Sequence, residues 1–462
     1  MLLLRRSAIS GLDTRSVVRR TLGTPLRIIP LGFAATIAVA TALLSTPWAV
    51  ADGQALGAAP FIVAVFTATS AVCVTGHIVV DTPVYWSSFG EAVILLFIQL
   101  GGFGIATLAT LLALLVARRL GLQSRLRAAQ GTDQSALADA RTVVLGIVRT
   151  TLAVQGAVAA VLFVRFTTSY GEPVGRAAWL ALFHAVSAFN NAGFALFSDN
   201  LIGFSGDVWV TGPIMVAIVL GGIGFPVVRE VLRHHRPSRW SVHTRLTIVT
   251  TAVLVVGGSV VFTVLEWTHA PTSGDGSMFD RVWNSVFMSV TARTAGFNTI
   301  DYAQATESSL FVTDLLMLVG GGSGGTAGGI KVGTLAVLVV AVLAEARGDA
   351  DVDVFGRRVA PQVIRQALAA LALTFGVVVV ATTVLLRLTS LPTHQVLFEV
   401  VSAVGTVGLS TGITADLPTA GKWVLISCMF LGRIGPVALV SALALRERGK
   451  LFRLPETRPL VG

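Results

Sequence analysis

Long apolar stretches alternate with short polar intervals along the whole chain, at roughly residues 28–49, 88–117, 142–166, 208–233, 244–267, 309–345, 360–388 and 419–446. About 20 apolar residues suffice for a helix to cross a hydrocarbon core, so the pattern predicts eight transmembrane helices. Within each successive pair lies a shorter apolar run that ends in one glycine. The four endings are Val74-Thr75-Gly76-His77, Asn191-Ala192-Gly193-Phe194, Thr294-Ala295-Gly296-Phe297 and Thr406-Val407-Gly408-Leu409. Ten residues before each glycine stand Phe66, Phe183, Val286 and Phe398, and each interval reads as a short helix. The predicted unit is helix, re-entrant pore loop, helix, repeated at 28–117, 142–233, 244–345 and 360–446. Such repetition is stronger evidence of fold than any single motif. The expected fold is an all-α membrane protein with four re-entrant loops around a central pore. Residues 1–27 and 447–462 are the terminal segments. The intervals 118–141, 234–243 and 346–359 are polar connectors between repeats.

A second glycine motif keeps the same register. It starts 24 to 28 residues after each loop glycine, at Gly101-Gly102-Phe103-Gly104, Gly221-Gly222-Ile223-Gly224, Gly320-Gly321-Gly322 and Gly432-Arg433-Ile434-Gly435. Close helix packing accounts for three of these. The third extends from Gly320 to Gly329 as seven glycines with Ser323, Thr326 and Ala327 among them. Each glycine costs about 1 kcal/mol relative to alanine in a helix, so the helix should break there. Unwound backbone at membrane depth persists only where it is buried in protein or lines a watery cavity.

Composition agrees. Hydrophobic residues make up 54% of the 462 and charged residues 13%, with a mean hydropathy of +0.79, which places the chain in a bilayer. The net charge of +10 raises the possibility of nucleic-acid binding, but its distribution argues against it. Arginines cluster at 5–27, 118–141, 229–245, 347–365 and 446–458, beside the ends of apolar spans. The loop-bearing intervals carry Asp52, Asp81, Glu172, Asp199, Asp207, Asp275, Asp280, Asp301 and Asp416 instead. The positive-inside rule then puts both termini in the cytoplasm and the glycine loops toward the outer face. Arg19, Arg20 and Ala49-Val50-Ala51 imitate a cleaved signal peptide, but cleavage would remove the first helix of the first repeat, so an uncleaved helix is expected. Two cysteines, Cys73 and Cys428, support neither a disulfide nor a zinc site.

Several segments together resemble the Trk/Ktr/HKT superfamily of potassium transporters. They are Thr67-Ala68-Thr69-Ser70-Ala71-Val72 leading to Val74-Thr75-Gly76, Arg293-Thr294-Ala295-Gly296-Phe297-Asn298-Thr299, Thr326-Ala327-Gly328-Gly329-Ile330-Lys331 and Gly432-Arg433-Ile434-Gly435-Pro436. With a first helix near residue 28 and no extra helix pair before it, the chain is most similar to the KtrB branch. The resemblance implies potassium uptake at the cell membrane, a homodimer with one pore per protomer, and a cytosolic nucleotide-binding regulatory ring of the KtrA or TrkA kind. Nucleotide is expected on that partner only, and no cofactor on this chain beyond transported K+ or, in the alternative, Na+. It also implies an intramembrane gate at Gly320, Gly321, Gly322, Ser323, Gly324, Gly325, Thr326, Ala327, Gly328 and Gly329, with Lys331 and Arg433 beside it.

Four loops whose carbonyl oxygens converge can replace the hydration shell of a monovalent cation, and glycine permits the backbone that points them inward. The candidates are Cys73, Val74, Thr75 and Gly76; Asn190, Asn191, Ala192 and Gly193; Arg293, Thr294, Ala295 and Gly296; and Gly405, Thr406, Val407 and Gly408. The preceding short helices would offer their partially negative C-terminal ends to the ion. Glycine in all four loops resembles the potassium-selective members; serine in the first marks many sodium-transporting plant relatives. Arg433, a charge within a span, is expected to hold the gate or oppose cations. Arg293 is expected to point away from the pore and brace the filter against Glu399 or another carboxylate. Lys331 either snorkels toward the cytoplasm or serves the gate. Cys73 replaces a common threonine, and His77, just outside Gly76, either modulates access or is a passive mouth residue.

An intramembrane serine hydrolase competes, because Gly321-Gly322-Ser323-Gly324-Gly325 fits G-x-S-x-G. That pattern marks a nucleophile only between a strand and a helix with a histidine in reach, whereas the surroundings here are apolar and His77, His184, His269 and His394 are expected toward the other face. Nor is the segment a phosphate-binding loop, since Ile330 separates Gly329 from Lys331.

Overall fold

The computed structural model describes residues 25–53, 58–103, 133–267, 269 and 277–435; of these, 25–28 and 133–143 are described by backbone alone. Gly104, Pro436, residues 1–24, the segment 447–462 and parts of the expected spans 88–117 and 419–446 and of connector 118–141 lie outside the described residues.

Among the described residues, fourteen α-helices of nine residues or more carry the architecture. They are α1 (Pro25–Leu44), α2 (Phe61–Val72), α3 (Ser88–Gly102), α4 (Asp133–Ser169), α5 (Val174–Phe189), α6 (Val208–Ile223), α7 (Phe225–Arg233), α8 (Val242–Glu266), α9 (Met278–Thr291), α10 (Glu307–Met317), α11 (Val332–Arg347), α12 (Pro361–Leu388), α13 (Thr393–Gly405) and α14 (Thr419–Ile434). A small antiparallel pair, β1 (Asp353–Val354) and β2 (Arg357–Arg358), departs from the purely helical expectation. Its turn is Phe355-Gly356, both with positive φ, as a tight two-residue hairpin requires.

Helix starts follow local chemistry. Pro60, Pro173 and Pro392 precede the short helices α2, α5 and α13. The other short helix, α9, begins instead with a reciprocal capping box between Ser277 and Asp280. Asp207, Ser241 and Thr306 cap α6, α8 and α10 by accepting a backbone N–H.

Three described segments are long and apolar enough to cross a membrane: Val144–Ser169, Val242–Glu266 and Pro361–Leu388. A fourth results if α6 and α7 count as one span, but they meet at 97°. This corrects the expected continuous helix 208–233. Gly224 has φ +92°, and Pro226 follows it, so neither residue continues the helix. The expected span 309–345 is likewise interrupted between Met317 and Val332, and α14 stops at Ile434 before Gly435, whose φ is +87°. The second glycine motif therefore marks helix breaks as well as close packing.

The packing closes on itself. Each short helix touches the helix that follows the preceding short helix: α5 lies on α3, α9 on α6, α13 on α10 and α2 on α14. Two large cores result. One is centred on Phe33, Phe97, Phe166 and Phe183, the other on Phe66, Phe262, Phe398 and Met429. Phe66, Phe183 and Phe398, three of the four residues at the tenth position before a loop glycine, are fully buried, whereas Val286 is only partly buried at the edge of the first core.

Candidate functional site

The four glycine loops have one backbone conformation. Two residues before each glycine the chain enters the left-handed region, at Val74 (φ +56°), Asn191 (+57°), Thr294 (+67°) and Thr406 (+51°), and the glycines follow at +89°, +68°, +79° and +94°. Valine and threonine are β-branched and avoid this region. Each such residue costs of order 1–3 kcal/mol unless its surroundings over-determine it. Here they do. The Thr75, Ala192 and Val407 amides donate to the carbonyls of Ser70, Ser187 and Ser402 at 2.8 Å, and Ala295 donates to Thr291 at 2.9 Å. The Ser70 and Ser402 hydroxyls accept the Gly76 and Gly408 amides at 3.0 and 3.1 Å. Those of Ser187 and Thr291 donate to the Phe194 and Phe297 carbonyls.

The glycines meet in a ring. A β-carbon at Gly76 would overlap the Ala192 carbonyl oxygen and lie 3.0 Å from the Gly193 Cα; one at Gly193 would lie 2.8 Å from the Gly296 Cα. At Gly296 it would overlap the Val407 carbonyl oxygen, and at Gly408 that of Thr75. Each loop thus abuts the next and the last returns to the first. Among the described residues, the carbonyls of Val74, Thr75, Asn191, Ala192, Thr294, Ala295, Thr406 and Val407 accept no protein hydrogen bond. The hydroxyls of Thr75, Thr294 and Thr406 are buried without a partner. Unpaired buried polar groups of this density are costly and suit a ligand that accepts oxygen donors. The first position of three candidate quartets differs from the rest. Cys73 and Asn190 end their helices in αR conformation and Gly405 is still helical.

The Gly320–Gly329 segment lies against three of these loops. The Thr326 hydroxyl contacts the Asn191 side-chain oxygen at 3.0 Å and the Phe189 carbonyl at 3.1 Å. A β-carbon at Gly320 would sit 3.4 Å from the Thr294 methyl, and one at Gly328 would overlap the Thr406 hydroxyl. The segment is pinned by backbone bonds. Gly322 and Thr326 donate to the Gly222 and Gly221 carbonyls at 2.9 and 3.1 Å, which are orphan acceptors at the end of α6. Val319 and Ile330 form a parallel bridge that closes its neck.

Arg433, buried in the last turn of α14, donates from Nη1 to the Thr326 carbonyl (2.5 Å) and from Nη2 to the Gly101 carbonyl at the end of α3 (2.6 Å). Lys331 does not snorkel; its Nζ turns back to the Ala327 carbonyl at 2.6 Å. Ser323 is exposed at the segment's tip, with no strand before it and the next helix starting only at Val332, so the nucleophile-elbow geometry is absent.

Two expectations change. Arg293 extends to the Thr251 carbonyl on α8 at 3.4 Å, not to Glu399. Glu399, fully buried on α13, is engaged instead by Ser410, by the Thr411 amide (3.1 Å) and by Thr414 (2.8 Å). It also lies 3.4 Å from the Nδ1 of His77; His77 is 1% exposed, so it is no open-mouth residue. The supporting role of Ser70, Ser187 and Ser402 escaped the sequence reading, although each stands six residues before its glycine. Asn190 also joins Gln99 (3.0 Å), which receives Gln155 at 2.8 Å.

A family described as TrkH, cation transport protein, matches residues 36–454. The chain is 36% identical to the Ktr system potassium uptake protein B of Bacillus subtilis (strain 168), over 98% of this chain and 100% of that one. It is 34% identical to the potassium/sodium uptake protein NtpJ of Enterococcus hirae, over 96% and 98%. The crystal structure of the potassium transporter TrkH from Vibrio parahaemolyticus superimposes with a TM-score of 0.69 at 19% identity, covering 96% of this chain and 87% of that one; at that identity the likeness speaks for the fold.

Proposed function

The chain belongs to the TrkH family of cation transport proteins, and from that premise we propose that it takes up potassium across the cell membrane through a filter built from its four glycine loops. Its family is one of transporters, not enzymes, and the hydrolase reading of Ser323 falls away. The observation that carries the proposal is the ring of Gly76, Gly193, Gly296 and Gly408 with its unbonded carbonyls. Oxygens in that number replace water around an alkali cation without a carboxylate. The four helix, loop, helix units are repeats around one central pore. The ion sites are Val74–Gly76, Asn191–Gly193, Thr294–Gly296 and Thr406–Gly408, with Cys73, Asn190, Arg293 and Gly405 at their helix ends.

Residues 320–329 form the gate, Arg433 latches it, and Lys331 stiffens it. The protein works as a homodimer with both termini cytoplasmic, under a cytosolic nucleotide-binding ring of the KtrA or TrkA kind. A second reading, sodium-permeable transport on the same fold, draws support from the relative named for potassium and sodium. Expression in a bacterium lacking its own potassium import distinguishes them. Growth at low potassium, with K+ uptake that Na+ does not replace, is the expected outcome. Failure to restore K+ uptake at verified membrane abundance rejects the proposal, and equal Na+ uptake favours the second reading.

A further inference from the structure

A cavity of about 610 Å3 opens beside the tip of the glycine segment and reaches Ser323. Its walls are apolar, from Leu246 on α8, Val337 on α11 and Val363 and Ala367 on α12. Arg357 and Arg358 on the β1–β2 hairpin make its rim cationic, with His243 on α8 beside them. Both arginines are exposed. Arg358 pairs with Asp351 at 2.6 Å, while no carboxylate lies within ion-pair distance of Arg357 among the described residues. Arg245 stacks on Phe355 at 5.6 Å and ties the hairpin to α8. Val363, Leu368 and Leu371 leave exposed apolar surface along α12, and Val363 belongs to both that surface and the cavity wall.

A free phosphate would use only the cationic rim and leave the apolar walls wet. A phospholipid uses both: its phosphate meets the arginines, and an acyl chain covers Leu246, Val337 and Val363. Basic pockets between helices on the cytoplasmic side suit anionic lipid headgroups. We propose that this cavity binds one anionic phospholipid from the cytoplasmic leaflet, and that its occupancy steadies the glycine segment at Ser323. The inference rests on the proposed gate and orientation.

The full chain in detergent would be offered phosphatidylglycerol and examined by native mass spectrometry, as parent, as Arg357→Gln with Arg358→Gln, and as Leu246→Trp, which fills the cavity while leaving the charges. The parent should retain one lipid about tenfold more tightly than the arginine variant, and Leu246→Trp should lose it as well. Equal retention in all three proteins overturns the site. Displacement of the lipid by inorganic phosphate, with phosphate retained in its place, overturns the lipid and leaves a soluble-anion site. In liposomes, parent K+ flux should change as phosphatidylglycerol replaces phosphatidylcholine, and the variants should not respond. Flux present but indifferent to lipid in the parent overturns the coupling. Specific lipid retention without K+ flux in any membrane upholds the site and rejects the transport reading instead.

Discussion

Replacing Arg433 tests the proposed gate most directly, because one side chain bonds two carbonyls on different segments, Thr326 of the glycine segment and Gly101 at the end of α3. Hydrogen bonds from a charged donor contribute about 1.5–3 kcal/mol each. The lower figure is apt where freed carbonyls can meet water, so the pair favours the observed arrangement by about 3 kcal/mol. If both bonds exist only when the segment blocks the pore, their loss shifts the closed-to-open ratio about 100-fold. A gate closed 99 times in 100 would then be open about half the time, and flux would rise about 50-fold. Arg433→Ala should show this. Lysine carries one compact ammonium and cannot span two carbonyls held by the two arms of a planar fork, so Arg433→Lys should keep one bond and fall about tenfold above the parent. The assay is K+ flux into liposomes without any cytosolic partner, at equal reconstituted amounts. Identical flux in parent, alanine and lysine proteins, all folded by thermal melt, refutes the latch.

Gly76→Ser places a β-carbon onto the Ala192 carbonyl oxygen at φ +89°; the strain of about 1–2 kcal/mol should reduce the K+ over Na+ permeability ratio about tenfold, and an unchanged reversal potential under bi-ionic conditions would count against this filter. Ser70→Ala removes the acceptor of the Gly76 amide and should cost about 1–3 kcal/mol for the unpaired N–H; a melting temperature and selectivity equal to the parent's would show that the serine braces nothing. Asp207 feels burial, which opposes its charge, but hydrogen bonds from Arg165, Tyr170 and the Trp209 amide outweigh it and hold its carboxyl below the ordinary range. A lowered carboxylate stabilises the fold above its unfolded value of about 3.9 and loses that contribution as pH falls through the folded value. Asp207→Asn should therefore melt below the parent at neutral pH, with the gap closing under acid; a gap independent of pH would remove the electrostatic account.

What the sequence disclosed follows from where the information resides. The apolar spans and glycine positions are local signals, and the positive φ of the four loop glycines and the interruption between Met317 and Val332 fall where those signals stand. The break at Gly224 had a local signal too, the Gly-Phe-Pro order, but glycine inside an apolar run reads equally well as packing. The left-handed turns at Val74, Thr294 and Thr406 had none, since β-branched residues argue against that backbone. They are imposed by amide bonds back to Ser70, Thr291 and Ser402 and by the abutting loops. Glu399 is one partner the sequence suggests for Arg293, because a buried acid and a buried base invite pairing. Only the fold reveals that Ser410, Thr411 and Thr414 already engage the acid, and that Arg293 reaches α8.

The proposed ion site consists of main-chain oxygens, so a search for chemistry-bearing side chains has nothing to find there. Side chains matter one layer out, where they decide whether the backbone can hold its shape. The second glycine motif belongs to that layer. A β-carbon at Gly101, Gly221 or Gly432 would overlap the carbonyl of Val72, Phe189 or Val404, each in the last turn of a short helix. These glycines let the flanking helix press against the very carbonyl ends that precede the loops. A methyl group at any of them would push a loop off the common ring without touching an ion ligand. In these three repeats the second glycine motif therefore sets the distance at which the first can converge, whereas in the third repeat its glycines abut the end of α6 and their own segment.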